Sequence, residues 1–236
     1  SFSDYGRALI AADQASHPED SRERDWICDE LVRRAVVADL SALDVTTNFD
    51  HPSLEGVDRT TLVSSDWAAY TFADANRELL GIPPDAAFRV RPRLDVTKLY
   101  YHGDGPRRVR ECIFKVSWEQ REANPVSATL PSERSVTVGT TLALDWASAR
   151  VRCCLTTATA ETQAAGSWLE KEQAAQRDGR TAMLKRMADA GILQVDHSLK
   201  APDGGIRPSV VEAETMEGVM RVRGAARMLH ISQGVT

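Results

Sequence analysis

The feature that most constrains the fold is a series of strand and turn signals between residues 87 and 156. Stretches in which apolar and charged residues alternate are separated by short turn sequences at 102–106 and 146–149. Such alternation is typical of strands with one buried face, and strands joined by short turns pair antiparallel. The region therefore predicts an antiparallel β-meander.

The alternation also predicts which side chains of the meander face the core. In the first hairpin, one face is formed by Cys112, Phe114, Val116 and Trp118. In the second hairpin, the predicted buried residues are Leu142 and Leu144 on one strand and Val151, Cys153 and Leu155 on the other. Residues two apart in a strand point to the same side, so each set is expected to share one face.

One predicted strand carries basic side chains at every second position: Arg89, Arg91 and Arg93. A strand would project all three from one face and turn Val90 and Leu94 to the core. Pro92 lacks a backbone N–H and confines this strand to a sheet edge. We expect the arginines either to be matched by acids such as Glu111 on a neighbouring strand or to form a docking surface for an acidic partner.

Charge is unevenly distributed along the chain. The segment 87–121 contains nine basic and four acidic residues, a net charge of +5 in a chain whose formal net charge is -5. Such asymmetry can mark a surface for phosphate or for an acidic protein. It is also typical of a solvated sheet face whose charges pair with acids elsewhere in the fold, and the sequence leaves both interpretations open.

The first third of the chain has the signals of helices. A helix beginning near Ser3 is expected to end at His17, because the residue before a proline avoids the helical conformation. A second helix has Asp20 as its predicted cap, with Glu23 placed as in a capping box. Residues 41–63 are rich in Ser, Asp, Asn, Pro and Gly and predict a loop or a short irregular element.

A third helix is predicted from Ser65 to a left-handed stop at Gly81, and after the meander the sequence returns to helix. That later helix is expected to begin near residue 160, with an interruption at Gly179. These signals predict the α+β class, with N-terminal helices, a central antiparallel β-meander, and a C-terminal helix with short strands. The predicted parts are a helical segment, 1–84, and an α+β domain, 85–236.

The residues of the chain point to no particular chemistry. The four cysteines form no C-x-x-C pair, no H-x-x-x-H spacing is present, and H-E-x-x-H, G-x-S-x-G and phosphate-binding glycine motifs are absent. We therefore predict no catalytic residue, no metal ligand and no cofactor in this chain, and expect reduced, mostly buried thiols. Apolar runs are too short for a membrane span, which predicts a cytoplasmic protein.

One short motif is similar to part of a DNA-binding helix-turn-helix. Residues 225–233, Ala-Ala-Arg-Met-Leu-His-Ile-Ser-Gln, resemble the middle of that element in LysR-type regulators. The residues just before it, 219–223, alternate as in a strand, which argues against the preceding helix that such an element needs. Nucleic acid is therefore not the expected partner.

A longer resemblance lies at the N-terminus. Residues 2–13, Phe-Ser-Asp-Tyr-Gly-Arg-Ala-Leu-Ile-Ala-Ala-Asp, followed by Pro18-Glu19-Asp20, resemble the segment after the catalytic domain in bacterial gluzincin-type zinc metallopeptidases of the thermolysin-like superfamily. A second stretch, 140–145 with 151–153, is similar to a β-hairpin in the tails of such proteins. In that family the zinc ligands and catalytic glutamate lie upstream of this pattern.

The resemblance implies that this chain is the part that follows a protease domain. Its first helices would complete the protease's helical subdomain, zinc would be held only upstream, and both chain ends are expected to be cuts in a longer protein. The expected function is an accessory or regulatory domain that binds a protein partner or the parent protease. The alternatives are a hydrolase or transferase with scattered catalytic residues, and a nucleic-acid-binding module that uses segment 87–121.

Overall fold

The computed structural model describes residues 2–19, 21–37, 39–102, 105–128, 130–156, 168–190, 193–195 and 211–224. The helices are α1 (Phe2–Ser16), α2 (Arg22–Arg33), α3 (Arg59–Ser64), α4 (Asp66–Ala75), α5 (Arg77–Leu80) and α6 (Trp168–Asp189). The strands are β1 (Thr47–Phe49), β2 (Phe88–His102), β3 (Gly105–Ala123), β4 (Glu133–Asp145), β5 (Val151–Thr156), β6 (Leu193–Val195), β7 (Val211–Met216) and β8 (Val219–Gly224). These elements confirm the predicted α+β class with central antiparallel strands.

The chain forms two compact units. Unit 1 comprises Ser1–Glu119 and Thr137–Ala174, and unit 2 comprises Gln120–Val136 and Ala175–Thr236. The domain boundary predicted after residue 84 does not coincide with a boundary of either unit. The reason is that α1 and α3–α5 pack on the strands of unit 1 instead of forming a separate helical layer.

In unit 1 the strands lie in the order β2-β3-β4-β5-β1. Antiparallel pairing joins β2 to β3, β4 to β5 and β5 to β1, and both predicted hairpins are confirmed. One face of β3 is fully buried, as its alternation predicted, through Cys112, Phe114, Val116 and Trp118. Helices α3, α4 and α5 cover this face with a set of apolar side chains: Leu62, Ala69, Phe72, Ala73 and Leu80.

The opposite face of unit 1 has a smaller core. Ala11 of α1 packs there with Val45, Ala143 and Cys153. Arg7 of α1 donates a hydrogen bond to the carbonyl oxygen of Thr156, at 3.3 Å. Helix α1 is therefore bound to the C-terminal end of β5, on the side of the sheet away from α3–α5.

Unit 2 is built from the ends of β3 and β4 together with later parts of the chain. β8 runs parallel to β4 and antiparallel to β7, and β6 runs parallel to β7. Its core is a small apolar cluster of Val126, Leu184, Leu193, Ala213 and Met220. The part of α6 after residue 175 therefore packs by Leu184 on the strands of unit 2, and these elements match the predicted C-terminal helix with short strands.

The helix boundaries agree with the sequence in some places and correct it in others. Helix α1 ends just before His17, and Gly81 adopts the left-handed conformation with a φ of 65°. The cap of α2 is Ser21, whose Oγ accepts the backbone N–H of Arg24 at 3.1 Å, so the predicted Asp20 cap was wrong. Helix α6 continues through Gly179, and the predicted interruption there was also wrong.

The region 41–63, predicted to be a loop or a short irregular element, contains β1 and α3. Asp58 caps α3, because its side chain accepts the backbone N–H of Thr60 at 2.9 Å. This cap is hard to recognise in the sequence because many neighbouring residues are also polar. Two predicted features fall outside the described residues: the start of the last helix before residue 168, and the helix-turn-helix resemblance at 225–233.

A register shift in the second hairpin corrects the predicted core faces. Leu144 pairs with Val151 but Ala143 pairs with Cys153, so Arg152 is an extra residue on β5. A bulge of this kind reverses the facing of the residues that follow it. Val151 therefore packs with the α3–α5 core, whereas Cys153 and Leu155 lie on the α1 side.

At Gly139, β4 approaches the backbone of β3 so closely that a side chain has no room. A Cβ at this position would lie 2.2 Å from the carbonyl oxygen of Val116 and 3.1 Å from the Cα of Ser117. We expect Gly139→Ala to lower the free energy of unfolding of unit 1 by about 1–3 kcal/mol, because a backbone contact cannot give way as a flexible side chain can. Denaturant unfolding of the purified chain measures this.

The matched control is Gly6→Ala in α1, where the nearest side-chain atom, Cδ1 of Leu31, is 3.4 Å from the added Cβ. This change removes a helix-interior glycine and should be neutral or stabilising, by up to about 1 kcal/mol. Equal effects of the two substitutions would contradict the close approach at Gly139.

Candidate interaction surface

The arginines of β2 do not share one face. Val90 pairs with Val116 but Arg93 pairs with Phe114, so two residues of β2, Arg91 and Pro92, lie opposite one residue of β3. The extra residue turns Arg93 to the face of Phe114, under the helices. The predicted three-arginine face is therefore wrong, because the alternation does not continue through Pro92, whose missing N–H interrupts the ladder.

Arg93 is part of the internal structure of unit 1. Only 9% of its side chain is exposed. Its Nη1 donates hydrogen bonds to the carbonyl oxygens of Ser65, at 2.6 Å, and Leu62, at 3.3 Å. Its Nη2 forms an ion pair with Asp66. Arg93 thus holds the turn between α3 and α4 against the sheet.

Arg91 and Arg89 remain at the surface, in different places. Arg91 has a 76% exposed side chain, and its Nη2 lies 3.1 Å from Asp66, the same carboxylate that binds Arg93. Arg89 is exposed and lies opposite Ser117, on the face away from Trp118 and the helices. Glu111, the acid expected to match the arginines, instead lies 2.5 Å from Nζ of Lys98. Among the predicted partner-binding arginines, Arg91 is the exposed one that contacts α4.

Helix α4 carries two exposed aromatic side chains close in sequence to Asp66, the ion-pair partner of Arg91. Trp67, the neighbour of Asp66, is 77% exposed. Tyr70, one turn further, stacks on Phe88 of β2 with ring centroids 4.7 Å apart. On the other side of Phe88, the guanidinium of Arg77 lies 4.9 Å from the ring centre.

We call Trp67, Tyr70, Arg77 and Arg91 the aromatic–arginine surface. Trp, Tyr and Arg are the residues that most often dominate binding energy in protein interfaces. Hydrogen bonds from Arg77 to Asp74 and to the carbonyl oxygen of Pro83, at 2.8 and 2.6 Å, limit its movement. Arg77 and Tyr70 are thus held in place before binding, which reduces the entropy that they lose when a partner binds.

The histidines and cysteines of the described residues do not favour nucleophilic catalysis. Nε2 of His17 lies 3.3 Å from the carbonyl oxygen of Tyr101 and Nδ1 lies 3.0 Å from Asp13, so neither nitrogen faces a substrate space. Burial raises the pKa of Cys112 to about 11 and that of Cys154 to about 12. Thiols with such pKa values stay protonated at neutral pH and are poor nucleophiles.

A pocket of about 380 Å³ lies between the segment 50–55 and the turn before β5. Its polar groups engage each other: Arg150 Nε is 3.6 Å from Asp50, and Nδ1 of His51 is 2.7 Å from Oγ of Ser53. No group of three or more metal-ligating side chains occurs within the described ranges. No helix in the described part of the chain is both long and apolar enough to cross a membrane.

Many charges of segment 87–121 are matched within the fold. Within the described residues, at least five of its nine basic side chains form ion pairs with acids: Arg91, Arg93, Lys98, Arg110 and Arg121. The hydrogen bonds of Arg110 also hold the pKa of the Asp95 carboxyl below its ordinary value. Internal pairing of this extent favours a sheet face with local charge partners over a continuous phosphate-binding surface.

Unit 2 contains a separate buried charge cluster. Arg134, with 2% of its side chain exposed, donates from Nε to Glu122 at 2.7 Å, and Arg180 donates from Nη2 to the same carboxylate at 2.7 Å. Nη2 of Arg134 also donates to Oγ1 of Thr181 at 2.9 Å. These contacts join β3 and β4 to α6. Because Arg134 is buried, the cluster belongs to the internal structure of unit 2.

Comparison with known proteins finds no matching family model, no matching curated protein and no matching solved structure. The signal that could have revealed Trp67 and Tyr70 is present in the sequence: both lie off the predicted apolar side of their helix.

We expect Arg93→Ala to lower the free energy of unfolding of unit 1 by about 1–3 kcal/mol, because it leaves two backbone carbonyls without their donor. Arg89→Ala, on the same strand, should change it by less than about 0.5 kcal/mol. Chemical denaturation of both variants checks this, and a harmless Arg93→Ala would show that the guanidinium does not hold the α3–α4 turn.

Acidification tests the charge cluster of unit 2. Burial alone would raise the pKa of Glu122, but hydrogen bonds from Arg180 and Arg134 outweigh it and lower that pKa. Its contribution to stability is thus present at neutral pH and is lost as the pH falls through the folded-state pKa. Glu122→Gln should destabilise unit 2 by about 3 kcal/mol at pH 7, with a weaker dependence on acid pH than the parent chain.

Amide hydrogen exchange of α6 and β8, followed across pH, measures the stability of unit 2 within the intact chain. Equal protection in the parent chain and the Glu122→Gln variant at pH 7 would contradict the structural role of the cluster.

Proposed function

We propose that this chain is a non-catalytic accessory domain of a bacterial zinc metallopeptidase and that it binds an acidic protein partner. The observation that carries the binding function is the aromatic–arginine surface, in which the exposed Trp67 directly follows Asp66, the ion-pair partner of the exposed Arg91. The resemblance of residues 2–13 to the segment after gluzincin catalytic domains supports the metallopeptidase context. Zinc, in this proposal, belongs to the upstream catalytic domain.

The charge of the region supports an acidic partner over a basic one. Segment 87–121 carries a net charge of +5, and Arg91 is exposed although Asp66 pairs with it. Because Asp66 already neutralises part of the charge of Arg93, Arg91 keeps the capacity to bind a further carboxylate. Trp67 and Tyr70 supply apolar area at low conformational cost.

The N-terminal motif itself is used internally. Arg7 and Ile10 are buried, and Asp13 accepts a hydrogen bond from Nε of Arg24 at 2.7 Å. The motif thus joins α1 to α2 and to the sheet, which is consistent with a segment that continues a preceding domain. We also propose a cytoplasmic location, supported by the four free thiols, Cys28, Cys112, Cys153 and Cys154.

Direct binding measurements test the surface. The probe is a short synthetic peptide of alternating Glu and Val, compared with one of alternating Lys and Val. We expect the acidic peptide alone to bind, and Trp67→Ala and Arg91→Ala each to weaken its binding about fivefold or more. Calorimetric titration gives the dissociation constants.

The matched controls are another exposed tryptophan and another exposed arginine of unit 1. Trp26, with the guanidinium of Arg22 at 4.7 Å from its ring, offers the same residue pair on α2. Trp26→Ala and Arg89→Ala should change the affinity by less than about twofold. Loss of affinity in every variant alike would refute a localised surface. A gene without H-E-x-x-H upstream of Ser1 would refute the metallopeptidase context while leaving the binding function to stand.

A further inference from the structure

The outer edge of β2 has no neighbouring strand among the described residues. β2 spans Phe88–His102, and its hydrogen-bonded neighbour in the sheet is β3. A strand with one neighbour presents the N–H and C=O groups of alternate residues to its free edge. Such an edge can accept a further strand from another chain.

The contacts of Tyr101 indicate which residues of β2 point their backbone N–H and C=O groups to the free edge. Tyr101 pairs with Pro106, which has no N–H to donate to it. The carbonyl oxygen of Tyr101 instead accepts from Nε2 of His17, at 3.3 Å. The register has no shift between Arg93 and His102, so Leu99 and Thr97 direct their backbone groups to the same side as Tyr101.

The usual devices that protect an edge strand are weak along residues 94–101. This stretch contains no proline, and its lysine, Lys98, is engaged with Glu111. Three of its apolar side chains are solvent-exposed: Leu94, Leu99 and Tyr101. A long edge with exposed apolar side chains is a site for strand addition.

Charge decides which occupant fits. Two copies of this chain paired along β2 would bring together two segments that each carry +5, which disfavours a second copy. Arg108 is exposed and lies directly opposite Leu99 on β3, one strand further from the free edge but on the same face of the sheet as Leu99. An extended segment that alternates acidic and apolar residues satisfies both the backbone groups and the charge.

We propose that residues 94–101 of β2 bind an extended acidic segment of the partner by β-strand addition. This inference rests on the proposed function and gives its mode: Arg91 lies at one end of the same strand and Tyr101 at the other. Main-chain hydrogen bonds would supply affinity, and Leu99 and Tyr101, as cross-strand neighbours, would select side chains.

The test uses backbone methylation, which removes N–H donors without changing charge. Two versions of the Glu-Val peptide are compared, one N-methylated at every Val and the other at every Glu. In strand addition only alternate residues bond to the edge, so one version should lose about tenfold or more in affinity and the other should keep it. On the protein, Thr97→Pro should weaken binding similarly, whereas Thr97→Val keeps the N–H and should not.

Amide hydrogen exchange gives a second readout. The amides of Thr97 and Leu99 should exchange quickly in the free chain and slowly with the acidic peptide bound. Slow exchange in the free chain, or a dimer in solution with the same protection, would show that the edge is already occupied and overturn the proposal.

The outcomes separate the two proposals. Acidic-peptide binding that depends on Trp67 and Arg91 but is equally sensitive to both methylated peptides would overturn strand addition and keep the proposed function. Absence of binding by any of these peptides would overturn both. If Thr97→Pro does not fold, the comparison of the two methylated peptides on the parent chain still decides the question.

Discussion

Burial of one face of β3 is the constraint on which the rest of unit 1 depends. Cys112, Phe114, Val116 and Trp118 are at most 4% exposed. Burying an apolar side chain of this size contributes roughly 1.5–3 kcal/mol. Because this face cannot turn without losing that contribution, the irregularities of the sheet lie in its other strands, at Pro92 of β2 and Arg152 of β5. Strand β3 thus stays regular, and the bulges of the sheet lie in β2 and β5.

The adaptation of β2 produces the candidate surface. The extra residue at Pro92 turns one arginine inward, where Arg93 binds the α3–α4 turn, and leaves Arg91 outside. Asp66, at the start of α4, pairs with both. The two arginine contacts to that shared carboxylate hold the beginning of α4, where Trp67 lies, against the strand that carries Arg91. A local defect in strand pairing therefore assembles an aromatic and a basic side chain that are distant in sequence.

The sequence predicted the elements better than their irregularities. The hairpins, the buried face of β3 and the stop at Gly81 follow from local signals of alternation and turn chemistry, and all are present. The bulge at Arg152 was not predictable, because one inserted residue reverses the facing of Cys153 without changing the composition. The candidate surface includes one of the three predicted arginines, Arg91, and its binding role stays a prediction. Arg93 binds carbonyl groups of a helix turn, which no spacing rule in the sequence reveals.

Chemical-shift mapping of the isotope-labelled chain tests the central claim, that one face built from α4 and β2 binds an acidic partner. On titration with the Glu-Val peptide, we predict changes in the indole N–H of Trp67 and in backbone amides of Arg91 and residues 94–101. The indole of Trp26, equally a surface tryptophan of unit 1, should not move. Changes centred on Trp26 or on unit 2, or no changes at saturating peptide, would contradict the account.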